Sequence, residues 1–252
     1  MTDGDWMAQM RMEIGAAWAI AKKDMYIYYL RPNIIVSGLL FPLFMFLAFS
    51  IGNTSGASIL MAGLIAITIL FSASSIEPVS VPIERRTKTY DRLLSAPISL
   101  NALVVGESLS GFIYSLAIAM APFIAGLLIF GTPINNVVSL VVGLMLTAFC
   151  IASMGTLFAS YPTESPGDIM SMLNVVRLPL LFISGIFIPL SAIPPAAQFV
   201  TYFSPLTYGY DLILGGYTGS SHYNPFFDII MLFVFIVFFQ LLADRLYKRY
   251  ST

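Results

Sequence analysis

Long apolar stretches without charge alternate with short polar clusters along the chain. No Asp, Glu, Lys or Arg occurs in residues 32–76 or in residues 108–163. A helix needs about 20 apolar residues to cross the hydrocarbon core of a bilayer, so each stretch is long enough to cross it twice. Because lipid offers no hydrogen bonds to the backbone, the crossings must be helices or a closed barrel. Residues 59–67 are continuously apolar rather than alternating, which favours helices.

The pattern predicts an all-α membrane protein in which residues 1–252 form a single transmembrane domain with six spans. Polar turns at residues 52–56 and 131–136 separate the first span from the second and the third from the fourth. The predicted spans are residues 33–51, 58–78, 103–129, 137–159, 169–189 and 225–243.

Lys and Arg residues concentrate on one side of the predicted bundle. They lie before span 1, between spans 2 and 3 and after span 6, whereas the connections 1–2, 3–4 and 5–6 contain none. Because positive residues stay on the cytoplasmic side, both termini are expected in the cytoplasm. Termini on the same side require an even number of spans, which agrees with six. The chain is therefore predicted to be a multi-pass protein of the cytoplasmic membrane. The residues that set this orientation are Arg11, Lys22, Lys23, Arg31, Arg85, Arg86, Lys88, Arg92, Arg245, Lys248 and Arg249.

Residues 1–31 precede the first span and carry apolar residues at spacings of three and four, the pattern of one helix face. An amphipathic helix with tryptophan on its apolar face is typical of a helix lying in the membrane interface, so membrane lipid is an expected partner. The alternative is a soluble helix that packs on a partner protein. The apolar face comprises Trp6, Met10, Ile14, Trp18, Ala21 and Met25.

Residues 84–97 form the largest predicted cytoplasmic loop. Thr89 is placed to cap a short helix that Pro97 would end. A charged helix with one aromatic and aliphatic face suits docking into a groove of a partner, and the alternative is a solvated loop rich in orientation-setting charges. The apolar face of this helix comprises Tyr90, Leu93 and Leu94.

Residues 190–224 are predicted to be extracellular, yet they are apolar, interrupted by prolines, and contain Asp211 as their one acid. An exposed loop would be more polar. Two short helices that dip into the outer leaflet and return explain this composition, because broken helices are tolerated where protein covers them.

Composition limits the chemistry that the chain can perform. It is 58% hydrophobic and 10% charged, against about 25% charged in a soluble domain. A net charge of −1 gives no attraction to nucleic acid. No Gly-Lys pair occurs, so a phosphate-binding loop is absent, and His222 is the only histidine. We therefore expect no enzyme activity, catalytic residue, metal site or cofactor in this chain.

Ionisable residues within the spans mostly lie near span ends. Glu77, Glu107 and Asp228 are all close to predicted ends, which gives ion-coupled transport weak support. Arg177 lies about two turns inside span 5, Asn174 shares its face, and Ser184 continues that face. These three residues are candidates for a translocation path or a subunit seam. The alternative is an arginine whose head group reaches the cytoplasmic interface.

Three motifs resemble those of the type-2 ABC transporter permeases, in the same order along nearly the whole chain. Residues 84–99 resemble the cytoplasmic coupling segment of that family, with Lys88 where the family usually has glycine. Residues 184–189, followed by Ile193-Pro194, resemble its exit from span 5. Residues 204–208 with Asp211 resemble its Asn-Pro-Leu-Thr-Tyr stretch.

The resemblance implies a half-permease that pairs with itself or a homologue and binds a separate nucleotide-binding ATPase subunit, which carries Mg-ATP. It implies export of a hydrophobic or amphiphilic cargo. An ion-coupled secondary transporter or a channel is the alternative, and a membrane scaffold subunit is a third possibility. The residues that the resemblance points to for contact with the ATPase are Glu84, Tyr90, Arg92, Leu93 and Leu94.

Overall fold

In a computed structural model, residues 3–29, 32–50 and 56–250 are described, and these residues form helices and turns without a β-strand. The predicted all-α fold is therefore confirmed. In chain order the elements are α1 (Asp3–Tyr28), α2 (Pro32–Ile35), a π-helical turn (Val36–Leu40), α3 (Phe41–Ser50), α4 (Ala57–Ala73), α5 (Glu77–Arg86), α6 (Thr89–Leu94), α7 (Leu100–Leu128), α8 (Val137–Ala159), α9 (Pro166–Ile183), a 3₁₀ turn (Leu190–Ala192), α10 (Pro195–Thr201), α11 (Pro205–Thr218) and α12 (Pro225–Tyr250).

Within the described residues, five helical segments are long and apolar enough to cross a membrane. They correspond to predicted spans 2 to 6, and α8 coincides with predicted span 4 at both ends. Predicted span 1 falls on α2, the π-helical turn and α3, which follow one another directly across residues 32–50, and residues 51–55 lie outside the described part of the chain. The five segments are residues 57–86, 100–128, 137–159, 166–183 and 225–250.

The segment of residues 57–86 consists of two helices, because α4 ends at Ala73 and α5 begins at Glu77. Serine and threonine hydroxyl groups ahead of the break donate to carbonyls one turn back, as Ser72 Oγ does to Thr68 O at 2.6 Å. Such bonds compete with the backbone ladder and bend helices. Pro78, in the first turn of α5, has no N–H to continue that ladder.

Helix α11 lies in the centre of the fold, covered by α4, α8 and α12. The predicted region of two short helices is occupied by α10 and α11. The backbone of α11 approaches α8 closely at Gly209, where an added Cβ atom would lie 2.2 Å from the side-chain oxygen Oγ1 of Thr147. Ser139 Oγ also donates to Leu212 O at 2.8 Å, so the two helices are joined by a hydrogen bond as well as by packing.

The outward surfaces of α7, α8, α9 and α12 carry large apolar side chains. Leu128, Val138, Val175 and Phe226 are each more than 70% exposed. Apolar helices that expose such residues on their outer surface require lipid rather than water around them. The chain is accordingly an integral membrane protein.

Helix α1 packs along α7, but its predicted apolar face divides into two parts. Ala21 is buried against the bundle together with Ala17 and Ile20, whereas Ile14 and Trp18 are exposed. The side chain of Trp6 lies outside the described residues. Small residues on the inner side allow close packing, as at Gly106, where an added Cβ atom would lie 2.8 Å from Ala17 O.

Candidate functional site

The coupling segment, residues 84–97, makes a sharp turn before α6. Lys88 adopts the left-handed conformation, with φ 57° and ψ 19°, and is the only non-glycine residue with positive φ in the described part of the chain. This conformation costs an L-residue about 1–2 kcal/mol. Lys88 therefore keeps the backbone geometry that glycine would supply without strain.

The prediction that Thr89 caps α6 is wrong. Lys88 occupies the N-cap position, so Thr89 is already the first residue of the helix. Thr89 Oγ1 instead lies 3.3 Å from Glu84 O, to which it donates, and 3.0 Å from Thr87 Oγ1. These bonds tie the start of α6 to the end of α5.

The apolar face of α6 points into the protein. Tyr90 is buried, and its ring stacks on that of Tyr247 in α12 with centroids 6.0 Å apart. The guanidinium carbon of Arg85 lies 5.3 Å from the centroid of the Tyr90 ring, a cation–π distance. Leu93 and Leu94 pack against the hydrophobic cluster that contains Tyr90 and Tyr247, and both are half-buried. Burial raises the pKa of Tyr90 above its ordinary value, so the phenol is neutral at physiological pH.

Glu84 is buried and forms an ion pair and hydrogen bond with Lys23 of α1. Lys23 Nζ also lies 3.1 Å from Asp24 Oδ1, an ion-pair distance without hydrogen-bond geometry. Burial raises the pKa of Asp24 to about 7, and the charge of Lys23 opposes this shift. Burial lowers the pKa of Lys23, but the two carboxylates raise it by more, so the net change is upward. These contacts join α1 to the coupling segment, a role that sequence reasoning missed.

The outer edge of the coupling segment is charged and accessible. Arg86, Lys88, Asp91 and Arg92 are exposed. Beside them a groove of about 310 Å³ lies between α6, the turn before α9 and the end of α12. Of the five residues predicted to contact an ATPase, Arg92 is thus exposed, Leu93 and Leu94 are half-buried, and Glu84 and Tyr90 are buried.

Arg177 is buried and holds the break between α4 and α5. Its Nε atom donates to Ser74 Oγ at 2.9 Å, and its Nη2 atom donates to Ser74 O at 2.5 Å and to Ser75 Oγ at 3.1 Å. Its side chain is 1% exposed, so the alternative of a head group reaching the interface is wrong. Asn174 Oδ1 accepts a long hydrogen bond of 3.5 Å from Arg177, whereas Ser184 bonds to Leu181 O of its own helix.

Two carboxyl groups in the spans are buried deeper than their positions near span ends suggested. Glu77 Oε1 accepts hydrogen bonds from Ser110 Oγ at 2.5 Å and Gly111 N at 3.2 Å. Glu107 Oε2 accepts one from Tyr247 Oη at 2.7 Å. Because Tyr247 also stacks on Tyr90, Glu107 is connected to the coupling segment through two side chains. No group of three metal-ligating side chains occurs among the described residues.

Comparison with known proteins agrees with these features. Residues 15–218 match the family model described as ABC-2 type transporter. The chain is 25% identical over 224 residues to the inner membrane transport permease YadH of Escherichia coli (strain K12), covering 87% of both chains. It is 27% identical over 213 residues to nodulation protein J of Rhizobium leguminosarum bv. viciae, covering 79% of this chain and 78% of that one.

Permeases of this family work with an ATP-binding subunit, which is the kind of partner that the coupling-segment motif predicts. The match covers the coupling segment, residues 184–194 after α9, and the start of α11, which are the parts of the chain that carry the predicted resemblance. The resemblance is therefore confirmed: the chain belongs to the ABC-2 type transporter family and is a membrane permease subunit of an ABC transporter.

Proposed function

We propose that this permease is the membrane half of an ATP-driven exporter that moves a hydrophobic or amphiphilic cargo across the cytoplasmic membrane. A separate nucleotide-binding subunit binds and hydrolyses Mg-ATP. The observation that carries the proposal is the coupling segment, which combines an inner apolar face with an exposed charged edge. Such an arrangement lets a partner push on the segment while the bundle holds it in place.

We propose six spans with both termini in the cytoplasm. Residues 32–50 are helical throughout and uncharged, which supports a first span in addition to the five longer segments. With six spans, every basic residue outside the spans lies on the cytoplasmic side, as the positive-inside rule requires. The same topology puts residues 190–224 on the outer side, where α10 and α11 form the proposed re-entrant pair.

The contact with the ATPase is divided between two sets of residues. Four of the predicted residues fix the position of the segment through Lys23 of α1 and Tyr247 of α12, and they transmit force rather than form the surface of contact; they are Glu84, Tyr90, Leu93 and Leu94. Arg92 contacts the ATPase directly, together with its exposed neighbours. Exposed basic side chains on a short helix favour an acidic rim on the partner groove. The exposed neighbours of Arg92 are Arg86, Lys88 and Asp91.

Helix α9 supports a second permease copy as a partner. Few side chains of α9 are buried, and its uncovered side carries Asn174, Met172 and Val175. A mixed polar and apolar helix face is better suited to contact with a second permease copy, or to lining a translocation path, than to contact with lipid alone. Arg177 and Ser184 lie on the inner side of α9, so in this proposal they keep its backbone in position beside that seam.

A charge reversal on the exposed edge tests the coupling assignment. The double variant Arg86→Glu, Arg92→Glu should lose binding of the purified ATPase subunit and cargo-stimulated ATP hydrolysis in proteoliposomes, while its membrane insertion stays normal. The control is Arg11→Glu, Lys22→Glu, the same charge change at two exposed residues of α1. Full stimulation in the edge variant would refute the assignment.

A buried carboxyl group gives the ion-coupled alternative a specific basis. Glu77 is fully buried among the helices, and its Oε2 atom has no hydrogen-bond partner among the described residues. Carboxyl groups within membrane helices are typical of proton-coupled carriers. Uptake or efflux that follows an imposed proton gradient in the absence of ATP, and that Glu77→Gln abolishes, would favour that function over the exporter.

A further inference from the structure

Two buried acids meet at the end of the bundle opposite the coupling segment. Asp211 of α11 and Asp228 in the first turn of α12 are within hydrogen-bonding reach of each other, and each is at most 1% exposed. Asp228 lies 19 residues before Tyr247 on the same helix, which is about 28 Å along its axis at 1.5 Å per residue. The acid pair is therefore distinct from the coupling segment.

Asp211 closes the loop of residues 219–224 that joins α11 to α12. Its Oδ1 atom accepts a hydrogen bond from His222 N at 2.8 Å, and its Oδ2 atom accepts one from Tyr223 N at 2.7 Å. Burial raises the pKa of Asp211, and the two amide donors oppose the shift because they favour the ionised form. A carboxylate bonded on both oxygens in this way has the geometry of an ionised acceptor.

Asp228 lacks the partners that an ionised carboxylate would need. Neither of its oxygens receives a hydrogen bond from a donor in the described part of the chain. No Lys or Arg occurs in residues 178–244, and α4 and α8, which cover α11, carry no charged side chain. The guanidinium of Arg177 on α9 is bonded to Ser74 and Ser75. The titratable groups that face the pair are Tyr208, Tyr210, His222 and Tyr223, and Tyr202 packs on Tyr223 behind them.

Two adjacent carboxylates without a cation cannot both stay ionised in a buried site. A metal ion is not supported, since His222 contacts Asp211 through its backbone N–H and no set of three acidic, histidine or cysteine side chains is placed to hold a metal within the described residues. We propose that Asp228 keeps its proton and donates it as a hydrogen bond to the Asp211 carboxylate, so that one shared proton holds the loop of residues 219–224 in a pH-dependent way. Ionisation of Asp228 would place a second negative charge beside Asp211 and weaken that loop.

The loop of residues 219–224 borders a cavity, so its release from Asp211 would change the wall of that cavity. Asp211 and His222 both line a cavity of about 490 Å³, together with residues 185–187 and 189–191, which follow α9. Release of the amides of His222 and Tyr223 from Asp211 would move part of this wall. The shared proton therefore controls access to the cavity.

The direction of the pH effect follows from proton binding. The closed loop holds one proton on the acid pair, whereas in the open loop both carboxyl groups face water and titrate near their ordinary value of about 3.9. Above that pH the closed form binds more protons than the open form. The ratio of closed to open loop should thus fall as pH rises, by up to about tenfold for each pH unit.

Infrared spectroscopy and hydrogen exchange on the full-length permease in lipid nanodiscs test the proposal. The wild type should show a C=O stretching band of a protonated carboxyl group that Asp228→Asn removes and Asp168→Asn, an exposed acid on α9, retains. Protection factors of the His222 and Tyr223 amides, corrected for intrinsic exchange, should fall about tenfold per pH unit between about pH 5 and 7 in the wild type and stay constant in Asp228→Asn.

Three results would overturn the proposal. They are a carboxyl band that survives Asp228→Asn unchanged, a flat protection profile in the wild type, and an equal fall in the wild type and Asp228→Asn. The wild-type profile alone decides the pH dependence if the variant does not fold. None of these measurements depends on ATP or cargo, so failure of the exporter assignment would leave their outcome unaffected.

Discussion

Arg177 offers a direct test of what holds the break between α4 and α5. Its guanidinium donates to three acceptors on Ser74 and Ser75, at 2.5–3.1 Å, from a fully buried position. The variant Arg177→Lys keeps the charge but replaces the planar fork by a single nitrogen on a different stem. One ammonium group cannot reach all three acceptors, so about two charge-assisted bonds are lost while the charge stays buried.

The expected cost of Arg177→Lys is about 3 kcal/mol, since each hydrogen bond to a charged group contributes about 1.5–3 kcal/mol and part of the loss is recovered. For a chain of this size that corresponds to a melting temperature lower by about 6–12 °C. Cys150, the only cysteine and fully buried, reports unfolding through its reaction with a thiol-specific fluorophore in detergent.

The matched control is Arg92→Lys, because Arg92 is exposed and the same exchange there should change stability by less than about 0.5 kcal/mol. If Arg177→Lys melts within about 2 °C of the wild type, the guanidinium bonds do not support the break. Equal shifts in Arg177→Lys and Arg92→Lys would lead to the same conclusion.

Three further substitutions test other contacts, each by the same melting assay. Burial raises the pKa of Asp24 to about 7, so between about pH 4 and 7 the folded state binds more protons than the unfolded chain and loses stability as pH rises. Asp24→Asn should therefore raise the melting temperature at pH 8 and have little effect on it at pH 4. Equal shifts at the two pH values would contradict this. Lys88→Gly should stabilise the fold by about 1 kcal/mol by relieving the left-handed conformation, and a lower melting temperature would argue against strain there. Gly209→Ala should destabilise by about 1–3 kcal/mol because its Cβ atom would overlap Thr147, whereas Gly15→Ala, with open space around it, should not; similar melting of the two variants would exclude the close contact.

The five segments that are long and apolar enough to cross a membrane were predictable because each is encoded locally. Long uncharged runs bounded by polar turns specify membrane helices, and Asn136 caps α8 at the residue where the polar turn ends. The break within residues 57–86 was not predicted. A hydropathy pattern is insensitive to it, since the serine hydroxyl groups that bend the helix are tolerated inside an apolar span.

The partners of the candidate residues were beyond sequence reasoning. Glu84 pairs with Lys23, 61 residues away, and Arg177 with Ser74, 103 residues away. No periodicity links such positions, because packing of α1 on α7 and of α9 on α5 brings them together. Composition gave one usable signal: an arginine inside a span needs a buried acceptor, although the sequence does not say which one.

The close contact between α8 and α11 limits how this protein can change shape. At Gly216 of α11 an added Cβ atom would lie 2.8 Å from Leu140 Cα and 2.9 Å from Leu140 N of α8, so the two backbones are in close contact there, and the Ser139 hydrogen bond to Leu212 O fixes their axial register. Sliding or rotating one helix against the other would drive backbone into backbone. A rearrangement that opens a path must therefore carry both as one rigid body, and its hinge has to lie where the helical ladder is already interrupted, as at residues 74–76.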